Sequence, residues 1–295
     1  YINGSYEKMT KKRCGVCDKR SFYKKVSIKD PLDESAVYDL MLCLGCKTVS
    51  TDPVPKDLDR YYKDNYDSYQ KKKSFFSSIY AFSQRFNNYY KTRILKKINA
   101  RSVLDYGCGS GAFLRYTCER GYETSGYEPI NKTNDVRISS SMGSFKNRVF
   151  DCITLWHVLE HTKNPVGVMN KLKGKLKNNG TMLVALPNYD SYDNIYYKNM
   201  WAGYDVPRHL YHFNKESFMF LSQKVGLRVV EKKPLLLDAF YVSILSEKKK
   251  KSIFPLIKGL LVGLLSNILS LFRGNPSSII YILKKWNSLE YLFSF

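Results

Sequence analysis

The sequence predicts an α/β protein: a mostly parallel sheet with helices on its faces, preceded by a small cysteine-held ribbon and interrupted late by a helical insertion. Three observations predict it. Strand and helix patterns alternate from Arg101 onward, as in a doubly wound sheet. The first of those strands runs into the glycine-rich turn Asp105-Tyr106-Gly107-Cys108-Gly109-Ser110-Gly111. Ahead of it, two Cys-x-x-Cys pairs stand 25 residues apart. With 295 residues, 44% hydrophobic and 15% aromatic, the chain can bury one sizeable core plus an appendage, which excludes a disordered protein.

Residues 1–50 are expected to form the ribbon. Each Cys-x-x-Cys sets two thiolates on a tight knuckle, and two knuckles close a tetrahedral site. A structural zinc ion is therefore expected on Cys14, Cys17, Cys43 and Cys46. Few apolar residues surround them, so the metal should supply most of that segment's stability. A redox pair would need a thioredoxin-like context, and none is visible. The three other cysteines suit free thiols in a reducing compartment, and no apolar signal core follows Tyr1, so a cytoplasmic location is expected.

Residues 51–100 read as an aromatic linker and an amphipathic helix. Pro53 and Pro55 break the chain before a tyrosine-rich stretch and the run Lys71 to Lys73, and apolar residues then recur at helical spacing from Ser74, the expected N-cap, to Ile98. Residues 101–295 form the main domain, with strands at SVLDYG, TSGYEP, DVRIS, RVFDCITLW, GTMLVALP and Leu227 to Lys233 and a last strand at about 277–284. Only seven residues separate Glu128 from Val136, so any helix joining those strands is very short or absent. The insertion, at about 236–275, holds a helix with apolar pairs from Leu256/Ile257 to Leu271/Phe272, leaving Lys258, Ser266, Asn267 and Ser270 on the other side.

The glycines at 107, 109 and 111 let a ligand approach backbone that side chains would block. Glu128 ends the next strand, 21 positions after Gly107, where a carboxylate can accept ribose hydroxyls. The loop reads Gly-x-Gly-x-Gly where dinucleotide binders carry Gly-x-Gly-x-x-Gly, which disfavours NAD. With VLDYGCGSGAFL, GYEP and FDCITLWHVLEHTKNP, the sequence resembles the class I S-adenosylmethionine-dependent methyltransferases. The resemblance implies a Rossmann-like sheet with its last strand antiparallel. It also implies cofactor contacts at Asp105, Gly107, Gly109, Gly111, Glu128 and Trp156.

The ribbon, the aromatic linker and the later Trp201…Pro207-Arg208-His209-Leu210-Tyr211-His212-Phe213 resemble methyltransferases of bacterial glycan and lipopolysaccharide biosynthesis clusters. That implies methyl transfer to a hydroxyl or carbon of a sugar, on a nucleotide- or lipid-linked glycan, with Trp201 and Arg208 on the substrate side. Methyl transfer to such an acceptor needs positioning and a base. His209 is the first candidate and His212 the second, unless both are structural. His157, Glu160 and His161 have spacings that share a helical face at the pocket's border, which makes His157 a third candidate. A similar stretch supplies metal ligands in ubiquinone-biosynthesis O-methyltransferases, where a carboxylate replaces His157; here metal binding and a packing role both stay open.

Lys and Arg exceed Asp and Glu by 48 to 26, giving +22, a balance that suits a phosphate backbone, an anionic membrane or no partner at all. An RNA methyltransferase and a quinone-like O-methyltransferase are the alternatives. Nucleic acid is the weaker partner, because the fourth strand ends in Leu155-Trp156-His157 without an Asn/Asp-Pro-Pro-aromatic motif. The helix within 253–272, preceded by Lys248 to Lys251, suggests either peripheral contact with the inner face of the membrane or packing on its own domain or a second copy.

Overall fold

A computed structural model describes residues 8–9, 12–30, 33, 35–63, 75–130 and 133–286. Ser74, the expected N-cap, and the lysine run 71–73 lie outside the described residues. The first half of the chain holds β1 (Lys8–Met9), β2 (Ser21–Lys29), β3 (Val37–Cys43), β4 (Val49–Asp52), α1 (Arg60–Lys63), α2 (Phe75–Lys97), β5 (Ser102–Tyr106), α3 (Ala112–Cys118), β6 (Glu123–Tyr127) and β7 (Ile138–Ser139). The second half holds β8 (Phe150–Trp156), α4 (Pro165–Lys173), β9 (Leu176–Pro187), α5 (Tyr192–Tyr197), β10 (Tyr211–His212), α6 (Lys215–Lys224), β11 (Leu227–Pro234), α7 (Leu236–Lys249), α8 (Pro255–Arg273) and β12 (Ser278–Lys285).

The main sheet has seven strands in the order β11-β12-β9-β8-β5-β6-β7. Pairings from β9 through β7 are parallel, whereas β12 is antiparallel to both β9 and β11. This is the Rossmann-like sheet with its last strand reversed that the resemblance implies. Its inner strands are buried on both faces, which is why FDCITLW and SIIYIL read as nearly continuous apolar runs. Strand order reverses at β5, so the glycine turn leaves the sheet where open α/β folds form their ligand crevice. No helix joins β6 to β7 among the described residues, as the short spacing required, and β7 shrinks to two residues.

The ribbon is not a free-standing appendage. Its antiparallel sheet runs β1-β2-β3-β4-β10, and β10 is supplied by the histidine segment, pairing Tyr211 with Ser50 and His212 with Val49. Cys14, Val16, Phe22, Met41, Cys43 and Cys46 share a core with Leu155, Phe213 and Phe218 of the main domain. The apolar partners that the ribbon's own sequence lacks come from there.

The insertion is a hairpin of α7 and α8. Packing of the leucine face of α8 on its own domain does not occur. α8 buries Gly259, Val262, Gly263, Ser266 and Ser270, the small and polar side, while Leu261, Leu271 and Phe272 stand in solvent. The glycines explain this: a Cβ at 259 would lie 2.6 Å from Ile244 Cα and one at 263 2.8 Å from Phe240 Cα, so only a bare backbone fits the contact.

Candidate active site

The turn after β5 holds Gly107, Gly109 and Gly111 at φ of +74°, +52° and +74°, a left-handed geometry that costs L side chains energy. A Cβ at 107 would also strike Val158 at 2.6 Å, and one at 111 would strike Ile138 at 2.8 Å. The Gly107 and Cys108 amides donate to Tyr127 O at 2.7 and 3.1 Å. The Gly109 amide donates to Glu128 Oε2 at 2.9 Å. Glu128, placed 21 positions after Gly107 at the end of the next strand, thus touches the turn directly through Gly109. Asp105, buried below the turn, accepts from Thr154 Oγ1 at 2.7 Å, and burial raises its pKa to about 6. Trp156 ends β8 edge-on to Phe113, with the Lys91 ammonium 4.3 Å from its ring. An open glycine backbone beside a strand-end carboxylate fits an adenosyl cofactor carrying a ribose.

His157, Glu160 and His161 do not share a helical face. Only a single 3-10 turn forms, over Leu159–His161, and His157 sits before it at φ +55°. Its Nε2 lies 3.0 Å from Asp238 Oδ2 on α7 and its Nδ1 3.4 Å from Glu160 Oε1. Burial alone would lower the His157 pKa, but the two carboxylates outweigh it and raise it to about 9. His157 is therefore a cation at neutral pH, a poor proton acceptor. Nothing in the sequence flagged Asp238, which lies 81 residues away.

His209 and His212 are both buried where the ribbon meets the main domain. His209 Nδ1 lies 3.1 Å from Gly203 O. A carbonyl only accepts, so Nδ1 carries the proton and Nε2 keeps its lone pair. That Nε2 faces Asp205 Oδ2 at 3.7 Å, and Asp205 is paired with Arg208 at 2.5 Å on the half-buried rim. Thr51 Oγ1 donates to His209 O at 2.7 Å, so at 3.1 Å it must accept from His212 Nε2. Burial drives the pKa of His209 well below its usual value and that of His212 to about 3, leaving both rings neutral. His161 packs edge-on to His209 at 4.5 Å, and Tyr62 of the aromatic linker reaches His161 Nδ1 at 3.2 Å. Ligand atoms of Glu160, His161 and His209 lie within 4.8 Å of one another.

One expectation changes here. Trp201 is 1% exposed, with its Nε1 donating to Asp193 Oδ2 at 2.7 Å, so it belongs to the core and presents no face to a substrate. The start of α6 is capped by Asn214 and Ser217 in a capping box, so a structural role for either histidine is not that of a helix cap. The crevice bounded by Glu160, Trp201, Gly203, His209 and His212 is too tight for a water molecule.

The four ribbon cysteines form one cluster. Cys14 and Cys46 Sγ are 3.6 Å apart, Cys17 and Cys43 Sγ 3.4 Å, and all four sulfurs lie within 4.8 Å. Tetrahedral zinc–sulfur bonds of about 2.3 Å require edges of about 3.8 Å, which this cage matches closely. Asp18 and Lys47, each just after a knuckle, adopt φ of +62° and +59°, turning the chain back on its ligands. Contact with the other thiols lowers Cys46 to about 5 while contact with Cys46 and burial raise Cys14, so a cation is needed before all four can be thiolates.

A family described as "Methyltransferase domain" matches residues 82–232, just over half the chain. No curated protein matches the sequence. Among solved structures, an O-methyltransferase of a trans-AT polyketide synthase multienzyme from Brevibacillus brevis, in complex with S-adenosyl-L-homocysteine, is 19% identical. That match covers 66% of this chain and 69% of that one, with a TM-score of 0.40. The cyclopropane synthase MmaA2 from Mycobacterium tuberculosis is 16% identical over 66% of this chain and 83% of that one, with a TM-score of 0.42.

Proposed function

The chain belongs to the methyltransferase-domain family and is an S-adenosylmethionine-dependent methyltransferase, and from that premise we propose that its acceptor is a sugar hydroxyl or carbon on a nucleotide- or lipid-linked glycan. The observation that carries this reading is His209, a neutral imidazole whose tautomer is fixed by Gly203 O and whose Nε2 lone pair faces the Asp205–Arg208 rim. A sugar hydroxyl needs such a base; methylation of an amine or thiolate does not.

Bound S-adenosylmethionine supplies an electrophilic methyl group on a sulfonium centre. Gly107, Gly109 and Gly111 would leave room for its amino-acid part, Glu128 would hold the ribose, and Trp156 would flank the sulfonium side, with Asp105 and Thr154 bracing the turn from below. When an acceptor hydroxyl or carbon is methylated, His209 Nε2 would take its proton, and the Asp205 carboxylate would stabilise the resulting imidazolium. Arg208 would orient a phosphate of the sugar carrier once drawn from Asp205. Zinc on Cys14, Cys17, Cys43 and Cys46 would hold the ribbon against β10 and so fix the histidine segment. His212 serves that junction rather than the chemistry, and His157 holds the exit loop of β8 against α7.

The test is methyl-labelled cofactor offered in parallel to nucleotide sugars, to lipid-linked glycan precursors and to total RNA. Label in a glycan fraction is the expected outcome. Label in RNA alone overturns this reading in favour of the nucleic-acid alternative that the charge of +22 also suits.

A further inference from the structure

The outward side of α8 carries Ile257, Leu261, Leu264, Ile268, Leu271 and Phe272, each between 44% and 83% exposed. At 3.6 residues per turn these six fall within an arc of about 100°, opposite the buried side. Ile253 and Phe254, 83% and 59% exposed, extend the stripe into the preceding turn. So large a continuous apolar face is unusual on a soluble surface.

The helix cannot roll to hide it. Ser266 Oγ donates at 2.8 Å to the fully buried Asp193, which also accepts from Trp201 and Ser277, and Asn267 donates to Leu236 O at 2.9 Å. Turning leucines inward would strip a buried carboxylate of a donor and drive side chains into contacts that only Gly259 and Gly263 permit.

The charge beside the stripe is mostly positive. From Glu247 to Arg273 there are six cationic side chains, Lys248, Lys249, Lys250, Lys251, Lys258 and Arg273, against one carboxylate, Glu247, which is buried and pairs with Lys250 at 3.7 Å. We propose that α8 docks this protein flat on an anionic phospholipid surface, its apolar stripe among the acyl chains and its lysines at the headgroups. A second copy fits the face less well, because a two-fold contact would set like-charged clusters against each other. A membrane-spanning arrangement would expose Ser266 and Lys258 to hydrocarbon and break the Asp193 contact. The inference is independent of the acceptor assignment, since its readout is binding alone.

The experiment is flotation of the full chain with vesicles of phosphatidylcholine, with and without about 30% phosphatidylglycerol. It compares wild type with the triple variant Leu261→Ser/Leu271→Ser/Phe272→Ser, checked for unchanged circular dichroism and cofactor affinity. All three positions are at least 62% exposed, so the fold does not depend on them. Wild type should float with the anionic vesicles, and the bound fraction should fall about tenfold in the variant or on pure phosphatidylcholine. Three results overturn the proposal: a wild type that stays in the soluble fraction, a variant that floats equally well, or a wild-type dimer that the variant turns into a monomer with no vesicle binding. The last would assign the face to a second copy.

Discussion

His209 and His212 stand three positions apart, are equally buried and are both neutral, yet their hydrogen bonds separate them. His209 spends its only N–H on Gly203 O and presents a lone pair, whereas His212 spends its own on Thr51, inside the ribbon junction. Replacing His209 by Ala is therefore expected to lower kcat by about 10²- to 10⁴-fold while leaving cofactor affinity unchanged, as steady-state kinetics and calorimetry can check. Full turnover in that variant would exclude it as the base. The two-histidine motif was legible in the sequence, and so was the place of Glu128 at the end of the strand next to the glycine turn, though not its bond to the Gly109 amide. The tautomers were not legible, because each depends on a carbonyl or hydroxyl that arrives from another segment. The aromatic ring of Trp201 likewise suggested substrate contact, but its indole N–H is consumed by Asp193 in the core.

Between elements, the contact of the β8 exit loop with α7 rests on His157 and Asp238. The folded-state pKa of His157, about 9, lies above its usual 6.5, so the pair contributes fully below pH 6.5, fades between 6.5 and 9, and is gone above that. With the ring one-third exposed, the contribution is about 1 kcal/mol. Thermal melts from about pH 6 to about pH 9.5 should show wild type losing that increment relative to Asp238→Asn, and parallel profiles would exclude the pair as a titrating link. α8 teaches a related lesson. Its periodicity identified an amphipathic helix correctly, but periodicity is symmetric between facing inward and facing outward. Gly259, Gly263 and the Ser266–Asp193 bond decide the direction.

Across the whole molecule, ribbon and main domain are joined by β10, which carries the histidine segment on a strand of the ribbon sheet. Removing the proposed zinc, by chelation or by Cys14→Ser, should therefore do more than loosen the ribbon: it should let β4 and β10 shift and lower acceptor turnover by about a hundredfold, with cofactor affinity at the β5 turn nearly intact. Metal analysis beside kinetics checks this, and retained turnover in metal-free protein would detach the ribbon from the site. The sequence by itself determined the sheet, the glycine turn with its carboxylate, the shortness of the connection after β6 and the four-cysteine cluster, because each depends on short-range spacing or on burial written into strand composition. Only the tertiary structure decided which histidine keeps a free lone pair, that the ribbon borrows both a strand and its core from the main domain, and which way α8 turns its leucines. Those outcomes depend on partners such as Thr51, Gly203, Asp193 and Asp238, brought together over tens to hundreds of residues where no local pattern records the meeting.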